Sequence, residues 1–522
     1  MIDSAPEAQF TDRQIIKNLF VLCSGFLFLY IAYDALFMLQ STMNREQGIG
    51  VACQAIVYSF FCLCSLLLPK YIIKKLGSKV TLTIGMFACV PYVAANFYPH
   101  WAVMVPCALS AGFGSSLLWA SQCTYLNEIS VLYAKHQFLK THSSRGSSFS
   151  CDKSSSIQFN WVNNKALNNK ESQTSAINDP RTNINKKDEV NEETFQNTQN
   201  SEKCLESSSE KESSAYSRMV ESWTARFFGF HGMAYMATRI ISNLMSFYLL
   251  QKDAPDSKFS NSTCVCGANF CNVESECFAH NVEPPSTEVR YILTGICVVI
   301  GLFSVFLVGI FLDPLKMGKE EVSFSLDFML STFRQARKKR QILLIPLCFY
   351  VGMIQGFYTG DFTKSYIACA WGTYHVGLVS ICYGATCALA SLASGWMVKR
   401  FNRLPVFILA GAVNLASIII FLMWHPKPKK PAMFFIAAGM WGTSTGILWS
   451  QLRAFVGVLF KKDEEAAFGA YYLWYSLGWC LSFAYSNYFC TYVKVYVLLA
   501  VSSVGIIGYL TVEIPLVLNK VK

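Results

Sequence analysis

The chain contains about a dozen apolar stretches of roughly twenty residues each, and short polar segments separate most of them. An α-helix rises about 1.5 Å per residue, so a stretch of this length crosses the ~30 Å hydrocarbon core of a bilayer. Because no water reaches the backbone inside lipid, such a stretch must satisfy its own backbone hydrogen bonds. Charged residues make up only 15% of the chain, whereas soluble domains average about 25%. The sequence therefore predicts an all-α polytopic membrane protein.

Twelve spans are predicted, and they fall into two groups of six. The first group comprises Asn18–Gln40, Gly48–Leu68, Val80–Phe97, Trp101–Tyr125, Trp223–Leu250 and Tyr291–Leu312. The second group comprises Ile342–Tyr358, His375–Val398, Pro405–Trp424, Ala432–Phe460, Ala467–Tyr488 and Val493–Leu518. We therefore expect two related six-helix halves.

Lysine and arginine are unevenly distributed between the loops on the two sides of these spans. If the N-terminus is cytoplasmic, and if the long loop after the fourth span is set aside, the cytoplasmic loops hold sixteen of these residues and the outer loops nine. Cytoplasmic loops are enriched in basic residues, so both termini are predicted to be cytoplasmic. The net charge of +11 resides largely in short clusters between apolar blocks, which argues against a nucleic-acid partner.

These patterns divide the chain into seven predicted segments. They are a cytoplasmic N-terminus at 1–17, helices one to four at 18–130, a cytoplasmic insertion at 131–221, helices five and six at 222–312, a basic cytoplasmic linker at 313–341, helices seven to twelve at 342–518 and a cytoplasmic C-terminus at 519–522.

A cysteine-rich loop at 251–290 falls on the predicted outer side. It contains an N-glycosylation sequon, Asn261-Ser262-Thr263. In an oxidising compartment its four cysteines are expected to form two disulfides, with three alternative pairings. A zinc site is the second interpretation, although the spacing provides no pair of C-x-x-C ligands. The four candidates are Cys264, Cys266, Cys271 and Cys277.

The loop after the fourth span has a different composition. Of its 74 residues, from His142 to Ala215, 27 are serine or asparagine. Such a segment buries too little apolar surface to offset the entropy that it loses on ordering. We therefore predict that the insertion is disordered, and that it is either a spacer or a phosphorylated or trafficking segment.

Corresponding motifs occur in the two predicted halves. A basic turn, Lys70-Tyr-Ile-Ile-Lys-Lys-Leu-Gly-Ser-Lys79, follows the second span, and Gly395-Trp-Met-Val-Lys-Arg-Phe-Asn-Arg403 follows the eighth. Both resemble the G-x-L-A-D-R-x-G-R-R turn of the major facilitator superfamily, but Lys74 and Lys399 stand at the aspartate position. The resemblance implies a major facilitator superfamily-like fold, in which six-helix repeats are a recurrent design.

A second repeated motif lies in the fourth and tenth spans. Trp119 follows Gly112 by seven residues, and Trp449 follows Gly442 by seven residues. Each tryptophan is also preceded by leucine. This agreement supports the interpretation that the two halves are related.

Motifs at both ends of the chain resemble those of the uncoordinated-93 family. In the first half they are Leu39-Gln-Ser-Thr-Met-Asn44, Gly48-Ile-Gly50, Ala95-Asn-Phe-Tyr-Pro99 and Trp119-Ala-Ser-Gln-Cys-Thr-Tyr-Leu126. In the second half they are Glu465-Ala-Ala-Phe468, Tyr472-Leu-Trp-Tyr-Ser-Leu-Gly478 and Ser482-Phe-Ala-Tyr-Ser486. The outer segment Cys266-Gly-Ala-Asn-Phe-Cys271 is similar to that of the homolog A branch.

The resemblance implies a regulator or trafficking partner of another membrane protein, either a potassium channel subunit or a receptor. It favours residence in the plasma membrane, with an endolysosomal membrane as the alternative. One departure from the family is Thr445, which stands where the tenth helix usually carries an acid. The alternative function is a proton-coupled or facilitative transporter of a small solute. No phosphate-binding loop or H-E-x-x-H motif occurs, so we predict no enzymatic activity and no cofactor.

Ionisable residues inside apolar spans are functional candidates, because each costs at least ~2.5 kcal/mol at the centre of a membrane. Asp34 in the first span, with His231 and Arg239 in the fifth, could form a charged cavity for a substrate or a proton. The alternative is an ion pair that fixes helix packing, or side chains that reach the outer headgroups. Four others are predicted to reach water or the outer mouth. They are Arg453, Glu513, Asp361 and Lys364.

Overall fold

The computed structural model describes most of the chain, and nearly all of the residues that it describes are helical. No β-strand occurs in these ranges. They are residues 10–37, 49–146, 192–250, 265–271, 286–315, 334–335, 337–372, 374–461, 463–486 and 488–521. The described residues divide into a larger unit within Met1–His136 and Arg218–Lys522 and a smaller one within Gln137–Ser217.

Thirteen helices are numbered here in chain order within the described ranges. In the first half they are α1 (Asp12–Phe37), α2 (Ile49–Leu67), α3 (Pro69–Leu76), α4 (Ser78–Ala94), α5 (Trp101–Gly146), α6 (Glu192–Leu250) and α7 (Thr287–Phe311). In the second half they are α8 (Lys339–Phe357), α9 (Tyr374–Phe401), α10 (Arg403–Met423), α11 (Pro431–Leu459), α12 (Glu464–Ala484) and α13 (Thr491–Val521).

Nine of the described helices are long and apolar enough to cross a bilayer, and a bent pair would make ten. The bent pair comprises Ala52–Ser65 and Pro69–Leu76, which meet at 67°. Two of the twelve predicted spans, the fifth and the eleventh, lie in α6 and α12, which are not among the nine. The chain is nonetheless a multi-pass integral membrane protein.

The seventh predicted span extends further than the sequence indicates. A π-helix, Tyr358–Ala368, continues directly from α8 and ends in a last α-helical turn, Cys369–Trp371. The prediction ended this span at Tyr358 because glycine and charged residues follow. Asp361 is instead buried inside the protein and paired with Lys494.

The tight turns that follow α3 in the first half and α9 in the second half have similar backbone conformations. Gly77 has φ 81° and ψ 159°, and Asn402 has φ 67° and ψ 179°. Their N–H groups donate to the carbonyl oxygens four residues earlier, those of Ile73 and Val398. A positive φ strongly favours glycine, and asparagine is among the few other residues that adopt it readily. The repeat is therefore conserved in backbone geometry although the residues differ.

The surface between the two halves, here called the seam, is formed in part by two pairs of helices. On one side α2 packs against α12, where the rings of Tyr58 and Trp479 stack with centroids 5.2 Å apart. On the other side α6 packs against α9, where Ser391 donates from Oγ to the carbonyl oxygen of Gly229 at 3.3 Å. Small residues allow this close approach of helices in a membrane.

The smaller unit contains the end of α5 and the beginning of α6. The rings of Phe138 and Tyr216 contact each other there at 5.3 Å. The prediction of disorder over 142–215 is wrong for residues 142–146 and 192–215, which are helical, since α5 continues to Gly146 and α6 begins at Glu192. Residues 147–191 of that insertion lie outside the described residues.

Candidate functional site

Aromatic rings from both halves meet at the seam. The indoles of Trp119 on α5 and Trp449 on α11 contact edge to face, with centroids 5.8 Å apart. Tyr235 on α6 stacks on Trp449 at 4.8 Å, and Tyr472 on α12 lies 5.7 Å from Trp119. These four rings are called the aromatic centre. The two tryptophans of the repeated motif thus come together across the seam.

Asp34, the first predicted site residue, is buried on α1. Its Oδ2 accepts a hydrogen bond of 2.8 Å from Oγ1 of Thr238 on α6. The same hydroxyl also lies 2.7 Å from the carbonyl oxygen of Tyr235, a residue of the aromatic centre, so the two acceptors share its single proton. The carboxylate therefore lies close to the centre and is held by a neutral donor.

Arg239, the second predicted residue, extends from α6 across the seam. Its Nη2 donates to Oε1 of Gln355 on α8 at 3.3 Å, and its guanidinium lies 5.3 Å from the ring centroid of Tyr383 on α9. Among the described residues, no ion pair within 4.0 Å joins Arg239 to Asp34. The alternative prediction of such a pair is therefore wrong, and both side chains are buried rather than directed to the headgroups.

His231, the third predicted residue, is fully buried on α6. Its ring lies 4.8 Å from that of Phe26 and 6.4 Å from that of Trp449. Neither ring nitrogen has a hydrogen-bond partner in the described part of the chain. The fold thus places all three predicted residues around the aromatic centre, although it does not join them in one hydrogen-bonded cluster.

Arg453 is a buried residue of the seam, although it was predicted to reach water. Its side chain is fully buried on α11, because Gln122 of α5 covers it from the other half. The Nε group donates to the carbonyl oxygen of Trp449 at 3.1 Å, and Nη1 donates to Oε1 of Gln122 at 3.3 Å. The guanidinium carbon lies 3.3 Å from the ring centroid of Trp449. No sequence signal could have shown this burial, since it depends on packing between the halves.

Glu513 was also predicted to reach water, and this prediction is wrong. It belongs to a buried cluster in which Arg403 contacts Glu221 at 2.7 Å and Glu513 at 3.8 Å. The three side chains come from α10, α6 and α13. The single positive charge of Arg403 lies within 4.0 Å of both carboxylates, and this lowers the cost of burying Glu513.

Asp361 was predicted to lie at the outer mouth, but it is buried and paired with Lys494 at 2.6 Å. The same oxygen accepts a hydrogen bond from Oγ of Ser486 at 2.8 Å. Lys364, the other residue predicted there, is half-buried and has its ammonium 6.0 Å from the ring centroid of Phe270. These residues lie at the end of the molecule opposite to the start of α8.

Two disulfides at this end join the loop between α6 and α7 to the second half. Cys266 is bonded to Cys369, and Cys271 is bonded to Cys490. The expected pairing among the four loop cysteines is therefore wrong for Cys266 and Cys271, because their partners are 103 and 219 residues away. Three other predicted site residues lie outside the described residues. They are Asn261, Cys264 and Cys277.

The loop is also held by its backbone. The N–H group of Thr491 donates to the carbonyl oxygen of Phe270 at 2.9 Å.

Within the described residues, no group of three or more side chains could hold a metal ion. Cys266 and Cys271, two of the four proposed zinc ligands, are disulfide-bonded and cannot bind zinc as thiolates.

Two family profiles match separate parts of the chain. Residues 42–137 match "Ion channel regulatory protein UNC-93", and residues 287–482 match "Major Facilitator Superfamily". Among solved structures, the major facilitator superfamily transporter FucP in its outward conformation is similar, with a TM-score of 0.55 and 12% identity. The alignment covers 95% of this chain and 98% of FucP. The predicted major facilitator superfamily-like fold is thereby confirmed.

Two named relatives are similar to this chain over nearly its whole length. "Protein unc-93 homolog A" of Xenopus laevis is 33% identical to this chain, and the alignment covers 95% of this chain and 93% of the relative. "Putative potassium channel regulatory protein unc-93" of Caenorhabditis elegans is 24% identical over 96% of this chain and 61% of its own length. The resemblance inferred from motifs is confirmed, and the chain belongs to the unc-93 family.

Proposed function

We propose that the chain is a non-enzymatic membrane protein that regulates an ion channel, with a potassium channel as the first candidate, or accompanies a receptor during trafficking. The observation that carries this proposal is the relationship over 95% of this chain to "Protein unc-93 homolog A" of Xenopus laevis. The similar Caenorhabditis elegans protein is named "Putative potassium channel regulatory protein unc-93". The family profile over residues 42–137 carries the same description.

The packing at the seam supports this proposal. Transporters of this general design hold their substrate near the bilayer midplane, between the two repeats. Here the indoles of Trp119 and Trp449 contact each other directly at the seam. Thr445, at the position where the family resemblance implies an acid, donates to the carbonyl oxygen of Trp441 at 2.8 Å and is buried. It has no proton to exchange in the physiological range.

Transport of a small solute remains the second candidate function, and one observation favours it. Asp34, His231 and Arg239 are all buried close to the aromatic centre. Buried ionisable groups inside membrane spans often mark substrate or proton pathways. A proton-coupled carrier would use Asp34 as the titrating group and Arg239 as the group that binds substrate.

We propose further that the disulfide-bearing end faces the cell exterior and that both termini are cytoplasmic. Disulfides form and persist in oxidising compartments, which favours an outward orientation for Cys266 and Cys271. The same orientation exposes Asn261 to the glycosylation machinery. The plasma membrane is the residence that we propose.

The two functions are distinguished by purification and flux measurements on the same variants. The full-length protein is tagged, extracted from native membranes and tested for a bound channel subunit, while potassium current is recorded with and without it. We expect a channel subunit to co-purify and the current to change. Asp34→Asn and Arg239→Ala are expected to leave both results unaltered.

Uptake into vesicles provides the opposing test. Solute uptake that depends on pH, and that both variants abolish, would contradict the regulatory proposal. Asp313→Asn is the matched control, because Asp313 is an acid of the same half whose side chain is partly exposed and paired with Lys17. It should leave any genuine uptake unchanged.

The orientation has its own test in a glycosylating host. Asn261→Gln is expected to lower the apparent mass of the protein, and enzymatic removal of glycans from the unaltered protein should produce the same shift. An unaltered protein that carries no glycan at Asn261 would contradict the proposed orientation.

A further inference from the structure

We propose that Arg453, together with Gln122, forms a binding site for a small carboxylate anion at the seam between the two halves. The proposal concerns a site distinct from Asp34 and Arg239. It rests on the charge, burial and hydrogen bonding of the described residues.

The environment of Arg453 supplies neutral partners only. Its acceptors among the described residues are the carbonyl oxygen of Trp449 and the amide oxygen of Gln122, and the side chains of Tyr472 and Cys123 also lie beside it. Aromatic faces cover the rest of the guanidinium, with ring centroids at 3.3 Å for Trp449 and 5.5 Å for Phe228. Among the described residues, no carboxylate lies within ion-pair distance of this fully buried charge.

A buried charge without a counter-charge carries a large desolvation cost. The same protein shows how it meets this requirement elsewhere. Arg403, which is 3% exposed, pairs with Glu221 at 2.7 Å and with Glu513 at 3.8 Å. Arg453 thus differs from Arg403 in having neutral partners only, and such surroundings suit the binding of an anion.

Two hydrogen-bond donors remain unused at this place. The second terminal nitrogen of Arg453, Nη2, and the amide nitrogen of Gln122, Nε2, are buried and have no partner in the described part of the chain. They belong to adjacent groups, since Nη1 of Arg453 already donates to Oε1 of Gln122. A carboxylate offers two acceptor oxygens, which suits a guanidinium and an amide side by side.

The position of the site gives the bound anion a structural role. Arg453 is carried by α11 of the second half, and Gln122 by α5 of the first half. An anion held by both would bridge the halves and stabilise their contact. We therefore expect the anion to raise the thermal stability of the whole protein.

Thermal unfolding of the purified full-length protein in nanodiscs tests this expectation. Acetate is the probe, and it replaces chloride stepwise at constant ionic strength. A ligand that binds only the folded state raises the melting temperature as its concentration increases. We expect such a rise in the unaltered protein, and an apparent acetate affinity about tenfold or more weaker in Arg453→Gln, because a charged hydrogen-bond partner is lost.

Arg226→Gln is the matched control. Arg226 also lies over a tryptophan, at 4.5 Å from the ring centroid of Trp223, but it is only half-buried. Its replacement should leave the response to acetate unchanged. If Arg453→Gln cannot be isolated in folded form, Gln122→Leu replaces it, since this change keeps the guanidinium and removes the neighbouring donor.

Three results would overturn the proposal. They are the absence of any acetate response in the unaltered protein, a response that persists at full strength in Arg453→Gln, and an unchanged response in Gln122→Leu. A response confined to proteins that retain both Arg453 and Gln122 supports it.

Discussion

Lys494 and Asp361 form an ion pair of 2.6 Å in the interior of the second half, and their side chains are only 4% and 2% exposed. The ammonium of Lys494 also donates to the carbonyl oxygen of Ser486 at 2.6 Å. The pair joins the π-helix that follows α8 to the start of α13. Removing one member of such a pair leaves an uncompensated charge in a poorly hydrated place.

Lys494→Met is therefore expected to lower the free energy of unfolding by about 3–5 kcal/mol. Denaturant titration in detergent measures the change. Lys17→Met is the matched control, because Lys17 and Asp313 are also 2.6 Å apart but are 46% and 31% exposed. An exposed pair contributes about 1 kcal/mol or less, so equal losses in the two variants would contradict the prediction.

Gly446→Ala is expected to destabilise the protein by about 1–3 kcal/mol, because the new methyl group would press against the backbone carbonyl of Cys387 in a closely packed interface. Gly377→Ala is the control, since nothing lies within 4 Å of the position of its Cβ. There alanine should be neutral or stabilising by up to about 1 kcal/mol, through its higher helix propensity. Melting temperatures of the two variants, measured side by side, check the difference, and equal destabilisation would refute it.

The stability of the loop between α11 and α12 should depend on pH through Asp463. Burial raises the pKa of Asp463, but hydrogen bonds and charges from Lys338 and Lys70 outweigh it and hold the pKa below the ordinary value. The lysine nitrogens lie 3.1 Å and 3.4 Å from its oxygens. The ionised carboxylate of Asp463 therefore stabilises the folded state above the unfolded pKa of about 3.9. This stabilisation is lost as the pH falls through the lower pKa of the folded state.

Asp463→Asn removes that contribution. The unaltered protein should be more stable than the variant near neutral pH, and the difference should shrink below about pH 4. Melting temperatures recorded across this range provide the measurement. A difference that stays constant into acid would show that the ionised form of Asp463 is not favoured by folding.

The disulfide pairing is checked by peptide mapping without reduction. We expect the peptide that contains Cys266 to be linked to that of Cys369, and the peptide of Cys271 to that of Cys490. Reduction should release all four peptides. Cys348, a buried free cysteine, should occur unlinked in both samples. Links from Cys266 or Cys271 to another cysteine of their own loop would contradict the structure.

Much of the fold could be predicted from the sequence because lipid imposes one backbone solution on each long apolar stretch. The repeat could be predicted as well, since Trp119 and Trp449 follow glycines at equal spacing. The eleventh span shows the limit of this argument. Its helix, α12, begins with Glu464 and Glu465 and is rich in tyrosine, so its apolar character is weaker than that of its neighbours.

The candidate site was predictable only in part. Because a charge in lipid is costly, an ionisable residue inside an apolar span is a functional candidate, but this cost does not show which residues it contacts. Asp34, His231 and Arg239 could be found in this way. The burial of Arg453 could not, since Gln122 lies 331 residues away. The partners of the loop cysteines were equally hidden, because Cys369 and Cys490 lie beside apolar stretches and resemble ordinary membrane cysteines.

The bonds from Cys266 and Cys271 to the second half have a consequence for the integrity of the polypeptide. Along the chain the halves are connected only through the segment at 313–341, but Cys369 and Cys490 add two covalent connections at the opposite end. A protease that cuts that segment would therefore leave the two fragments fastened together. On a denaturing gel the two fragments would migrate as a single species until a reducing agent cleaves the disulfides.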